Sequence, residues 1–92
     1  MPTDSELLSE YAECGSDAAF GELVRRHVDF VYSAAVRIAG DPHLAQDVTQ
    51  GTFLALAKGA RDLTDRAVLA GWLHRTTRNI AAQFIRGEVR RH

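Results

Sequence analysis

"GDPHLAQDVTQGTFLALAK", residues 40–58, decides the fold class of this chain. It opens with a glycine, an acid and a proline in the order that ends one helix and starts another. Gly40 closes the first, Asp41 caps the second, and Pro42 takes a position where no backbone N–H is needed. Placed on a wheel of about 100° per residue, Leu44, Ala45, Val48, Thr52 and Leu56 gather on one side, with Phe53 on its flank. Gln46, Asp47, Gln50, Leu54 and Ala57 gather opposite. A stop, a start and an apolar stripe at helical spacing predict a helix running to about Lys58.

Upstream the same grammar repeats. Thr3 and Glu6 have capping-box spacing, and Gly15 ends a short helix over about residues 4–13. Ser16 or Asp17 caps a second helix reaching about Ala39, with Phe20, Leu23, Val24, Val31, Ala34, Ala35 and Ile38 as its apolar stripe. Downstream, residues 59–66, "GARDLTDR", read as a polar connector. A last helix starts near Ala67 and runs to about Val89, fraying at Gly87. Its expected core stripe is Leu69, Leu73, Thr76, Ile80 and Phe84. With two prolines, abundant alanine and no alternating β-branched run, the chain predicts an all-α fold: one compact bundle of about four helices over residues 1–92.

Composition narrows the function classes. Hydrophobic residues make up 46% and charged residues 25% of the chain, an ordinary globular balance. No apolar run approaches the roughly 20 residues of a membrane helix, and no basic stretch followed by an apolar one marks a secretory signal. A single cysteine, Cys14, rules out an internal disulfide and fits a cytoplasmic protein; a small, semi-buried place at a helix end is expected for it. His27, His43, His74 and His92 are scattered without metal-ligand spacing, and no phosphate loop or nucleophile motif is visible. No enzymatic activity, catalytic residue, metal or cofactor is therefore expected. His27 falls on the stripe of the second helix, which predicts a partly buried histidine with a satisfied partner.

The formal net charge of −1 hides an asymmetry. Residues 1–22 carry Asp4, Glu6, Glu10, Glu13, Asp17 and Glu22 with no lysine or arginine. Residues 72–92 carry Arg75, Arg78, Arg86, Arg90 and Arg91 against Glu88 alone. On the wheel Arg75, Arg78, Asn79, Arg86 and Arg90 stand away from the core stripe, with Trp72 and Gln83 near the boundary. Arginines for phosphates, amides for base edges and a planar ring are what a nucleic-acid face needs. A solvated face balanced by acids elsewhere would look similar. The outer side of the third helix is equally two-valued: a weakly polar face with one stray leucine, or a docking surface in which Leu54 gives area and Asp47 and Gln50 give direction.

Two blocks narrow this choice. "GDPHLAQDVTQGTFLAL" is similar to the Gly-Asp-x-x-x-Ala-x-Asp-x-x-Gln-x-Thr-Phe-Leu pattern, and "GWLHRTTRNIA" to the Trp-Leu-x-Arg-x-x-x-Asn pattern, of region 2 of extracytoplasmic-function (ECF) sigma factors in the sigma-70 family. From "FGELVRRHVDFVYSAAVRIAGD" onward, about three quarters or more of the chain resembles that region. The resemblance implies a transcription initiation domain with two partners. One is RNA polymerase core, through the clamp helices of its beta-prime subunit, met by Gln46, Asp47, Gln50 and Leu54. The other is promoter DNA, where the domain recognises and helps melt the −10 element and holds its non-template strand. Asn79 matches a base-contacting position, Arg75, Arg78 and Arg86 suit the backbone, and Gln83 lies beside them. Arg61, Asp62, Leu63 and Thr64, with Asp65, match a loop that receives a flipped base. An anti-sigma factor is a further implied partner, and a membrane is not.

Three features depart from the family pattern. Gly51 stands where glutamate is usual, which is expected to remove a polymerase contact and to weaken the helix by roughly 1 kcal/mol. The aromatic common before the last helix is missing, with Leu69 nearest its place, and Trp72 is expected to pack at the core edge. A whole sigma factor of this kind adds a region 4 that reads the −35 element; the end in a basic helix without a cap is what an excised region 2 would show. The rival reading is a protein-interaction module that binds polymerase or an anti-sigma factor and leaves the arginine face idle.

Overall fold

The first three helices each start on a cap read from the sequence. Thr3 Oγ1 accepts the Glu6 N–H at 3.1 Å while the Thr3 N–H donates to Glu6 Oε1 at 2.7 Å, a reciprocal capping box. Ser16 Oγ accepts the Ala19 N–H at 3.1 Å, and Asp41 Oδ1 accepts the His43 N–H at 2.9 Å. Gly40 sits at φ 72°, where a side chain would be strained, and its N–H closes the turn onto Val36 O at 2.8 Å. The computed structural model describes residues 1–63 and 69–87. These residues form four helices and no strand: α1 (Asp4–Cys14), α2 (Asp17–Ala39), α3 (Pro42–Leu63) and α4 (Leu69–Ile85).

Helix α2 is the central element, packed against α1, α3 and α4, while α3 also meets α1 and α4. The core divides in two. At one end Leu7, Leu8, Leu23, Val31, Phe53, Leu56, Leu63, Leu69 and Leu73, with Ala19 and Ala60, form a cluster made mostly of large side chains. At the other, Ala35, Ala45, Val48 and Ala81 form a cluster of small ones, flanked by the partly buried Tyr32, Val36, Leu44, Ile80 and Phe84. Between helices α3 and α4, Thr52 and Thr77 are fully buried. Each hydroxyl donates to the carbonyl one turn back, Thr52 to Val48 O at 2.8 Å and Thr77 to Leu73 O at 2.6 Å. The two oxygens approach to 3.5 Å. A buried hydroxyl is tolerated because it is bonded, and bonding within its own helix leaves the partner helix free to come close.

The structure corrects several expectations. Helix α3 does not stop at Lys58 but continues to Leu63, because Leu56, Ala60 and Leu63 extend the buried stripe by one helical repeat after another. Burying a leucine is worth about 1.5–3 kcal/mol, more than the roughly 1 kcal/mol that Gly59 costs within a helix. Residues 59–63 are thus helix rather than connector, and residues 64–68 lie outside the described residues. Helix α4 ends at Ile85, short of the expected Val89: Gly87 turns the chain at φ 74° and its N–H bonds Phe84 O at 3.1 Å. Its fully buried positions are Leu73, Thr77 and Ala81, whereas Thr76, Ile80 and Phe84 are only partly buried. From Leu73 the buried line continues by i+4 steps through Thr77 to Ala81, one residue away from the expected Thr76 and Ile80. Cys14 is exposed rather than semi-buried, and Ile38 is exposed at the end of α2.

Asp4 of α1 and Glu22 of α2 find their partners on α2. Arg26 spans Asp4 at 3.3 Å and Glu22 at 3.1 Å, Arg25 meets Glu22 at 3.0 Å, and His27 Nε2 lies 2.8 Å from Asp4 Oδ2. His27 is the satisfied, partly buried histidine expected. Hydrogen bonds from Arg25 and then Arg26 hold the Glu22 carboxyl below its ordinary 4.5, and the bond to Glu22 in turn raises Arg26. A carboxylate whose folded value is depressed contributes stability that is present above the unfolded value and lost as pH falls through the folded one. In urea titrations the Glu22→Gln variant is therefore expected to be less stable than wild type at neutral pH, with the two curves converging as pH drops below about 4.5. A gap of constant size down to pH 3 would show that the pair contributes nothing through its charge.

Candidate nucleic-acid and protein-docking surfaces

The outer side of α3 is a groove wall. Gln46, Gln50 and Leu54 are exposed and Asp47 is half-buried, with Leu54 58% exposed although leucine gains nothing from water contact. Facing them across a groove of about 760 Å³ stand Phe20, Val24, Val28, Asp29 and Tyr32 of α2. The four α3 residues singled out in the sequence therefore share one concave surface. The opposite wall was missed. Val24, Val28 and Tyr32 repeat at i, i+4 and i+8, a second stripe on α2 beside the one that fills the core, and a wheel of α2 carries that signal. An apolar floor with Asp29, Asp47, Gln46 and Gln50 at its edges matches the anatomy of a protein interface, with area in the centre and direction at the rim.

Helix α4 turns a different surface outward. Arg75, Arg78, Asn79 and Gln83 are exposed along it, and Arg86 is exposed in the turn that follows. Among the described residues Arg75 and Arg78 take part in none of the ion pairs found, which lie within α2 or join it to α1. Asp4 and Glu22 thus neutralise Arg25 and Arg26 rather than Arg75 and Arg78. Trp72 is partly buried against the larger core cluster, at the core edge where it was expected. Arg90 lies outside the described residues.

The last turn of α3 divides the remaining candidates. Arg61 and Asp62 are exposed, and Arg61 lines a small polar cleft of about 420 Å³ with Tyr11, Glu13, Asp17 and Lys58. Leu63 is buried in the core, at 5% exposure, so its side chain is not on the surface the sequence assigned to it. Its i+7 spacing from Leu56 is the reason: the apolar stripe outlasts the polar residues around it. Thr64 and Asp65 lie outside the described residues. No group of three metal-binding side chains occurs among the described residues, and none of their helices is long and apolar enough to cross a membrane.

Gly51 also stands elsewhere than its departure from the family pattern implied. It does not line the groove; a Cβ built there would meet Ile80 Cγ2 of α4 at 3.4 Å. The Cβ of any side chain there would lie against the seam between α3 and α4.

Residues 23–91 match the family model of Sigma-70 region 2. The chain is 33% identical over 91 residues to the ECF RNA polymerase sigma factor SigE of Mycolicibacterium smegmatis. That match takes in 97% of the chain and 35% of the relative, so the chain spans about a third of its length. No solved structure matches the chain. The family match begins within α2, leaving α1 outside it.

The seam geometry gives a test. At Gly51 the added methyl makes ordinary contact with Ile80 and removes the helical penalty of glycine, so Gly51→Ala is expected to stabilise the chain by up to about 1 kcal/mol in urea denaturation. Destabilisation would mean that α3 and α4 are closer here than the described packing.

Proposed function

The chain belongs to the sigma-70 region 2 family, and from that premise we propose that it is region 2 of an ECF-type sigma factor, a transcription initiation domain that binds RNA polymerase core and opens promoter DNA. The observation that carries this reading is the pairing of two unlike exposed surfaces on neighbouring helices of one core. The groove between α2 and α3 is apolar with a polar rim, suited to another protein. The outer side of α4 is cationic and rich in amides, suited to nucleic acid. The domain acts by holding two macromolecules in fixed relation and carries out no chemistry of its own.

In this reading the beta-prime clamp helices of polymerase occupy the groove. Leu54 enters their apolar seam, while Asp47, Gln46 and Gln50 take up their polar groups. An anti-sigma factor covering the same groove would compete with polymerase. Promoter DNA lies along α4. Arg75, Arg78 and Arg86 neutralise phosphates, which supplies affinity without sequence preference. Asn79 and Gln83 offer paired donor and acceptor groups to base edges of the unpaired non-template strand of the −10 element. Arg61 and Asp62, exposed in the last turn of α3, would help receive a flipped base.

Two sets of variants test the two surfaces separately. Asp47→Arg reverses a charge at the groove rim and is expected to abolish pull-down of the beta-prime clamp helices while the circular dichroism spectrum stays helical. Retained pull-down would remove the groove from this function. On the other surface, Arg75→Ala is expected to weaken binding of single-stranded −10-like oligonucleotides uniformly across sequences and to lower the salt slope by about one. Asn79→Ala is expected instead to change which base is preferred at one position, read by selection of enriched sequences in the presence of core polymerase. If neither variant changes binding, the protein-interaction module without DNA recognition is the better description.

A further inference from the structure

Phe30 has no role in the fold or in the groove. It belongs to neither core cluster, it does not line the groove between α2 and α3, and its side chain is 43% exposed. An exposed position in the middle of a helix favours lysine, glutamate or alanine over phenylalanine, so helix propensity does not explain the ring either. Its ring contact is with His74 of α4, at 6.1 Å between centroids and a 40° tilt. His74 precedes Arg75 directly and lies one helical turn before Arg78, both exposed. The Phe30 ring therefore stands at the edge of the cationic surface, in contact with a second ring on the helix that carries the arginines.

The charges nearby agree with an anionic ligand. Arg37, two turns further along the same side of α2, is exposed. Arg26, one turn before Phe30, is held by Asp4 and Glu22, so those acids are engaged and not open toward the ring. Asp29, the adjacent acid, lines the groove on the other side of α2.

We infer that Phe30, in contact with His74, is a stacking shelf for one unpaired base of the single strand whose phosphates Arg75 and Arg78 hold. The inference rests on the proposed DNA-binding reading of α4 and adds to it a residue from α2. A base stacks on an exposed phenyl face whatever its identity, because every base has a π-face, and the neighbouring guanidinium groups hold the backbone on either side. The strand would then be gripped across the α2–α4 seam, with the shelf contributing affinity and position while the amides of α4 contribute base preference.

The experiment compares two probes that differ only in their bases: a fluorescent oligothymidylate of about 12 nucleotides and an abasic sugar–phosphate strand of equal length. Binding of the wild-type chain, Phe30→Ala, Phe30→Tyr and Arg75→Ala is followed by anisotropy at low salt, with helicity checked for each. Phe30→Ala is expected to weaken oligothymidylate binding about tenfold and to leave the abasic strand unchanged, and Phe30→Tyr to restore the loss. Arg75→Ala is expected to weaken both probes. Wild-type affinity of Phe30→Ala for oligothymidylate overturns the shelf, as does an equal loss on both probes, which would mark a role in the scaffold alone. If Arg75→Ala weakens both probes while Phe30→Ala changes neither, the DNA-binding surface stands and only the shelf falls. If Arg75→Ala also changes neither probe, the DNA-binding reading falls and the shelf with it.

Discussion

The close crossing of α3 and α4 at Thr52 and Thr77 is the constraint on which the remaining structure depends. Each threonine spends its hydroxyl proton inside its own helix, so the crossing needs no buried polar partner from outside. With both helices held by Leu56 and Leu73 on one side of that crossing and by Ala45, Val48 and Ala81 on the other, their outer sides have no freedom to rotate. The groove residues on α3 and the arginines on α4 are consequently presented by one rigid body. A protein that must position DNA relative to another macromolecule has use for that rigidity, since slack at the crossing would appear as slack between the two partners.

Much of this architecture was legible in the sequence because it is written in local chemistry. Thr3, Glu6, Gly15, Ser16, Gly40, Asp41 and Pro42 each act within a few residues of themselves, and each cap or stop stands where it was read. The separation of Asp47, Gln50 and Leu54 from Val48, Thr52 and Leu56 follows from the helical period alone. What a wheel does not hold is the position of the neighbouring helices. It therefore centred α4 on Thr76 and Ile80, one position away from the buried Thr77 and Ala81. It likewise read "GARDL" by polarity and overlooked that Ala60 and Leu63 continue the buried stripe.

The surfaces were legible to a different degree. Both exposed faces could be found from single helices, but the groove belongs to two of them, and Val24, Val28 and Tyr32 on α2 complete what the α3 residues begin. Phe30 is a similar case: an unremarkable residue along α2, it acquires meaning only beside His74 and the arginines of α4. The charge asymmetry also changes its sense. Asp4, one of the α1 acids that cancel the arginines in a sum of formal charges, is engaged with Arg26 and His27 of α2.

The division of the core into a leucine end and an alanine end sets what the sequence can tolerate. Large side chains repack: a leucine exchanged for methionine or isoleucine finds another rotamer, and the helix axes need not move. Alanine has no rotamer to change, so any growth at Ala35, Ala45 or Ala81 must push the axes apart. The small residues therefore work as a gauge block, setting the distance between the groove of α2 and α3 and the outer side of α4. Drift at the leucine end alters how firmly the domain is held together. Drift at the alanine end alters its working dimensions.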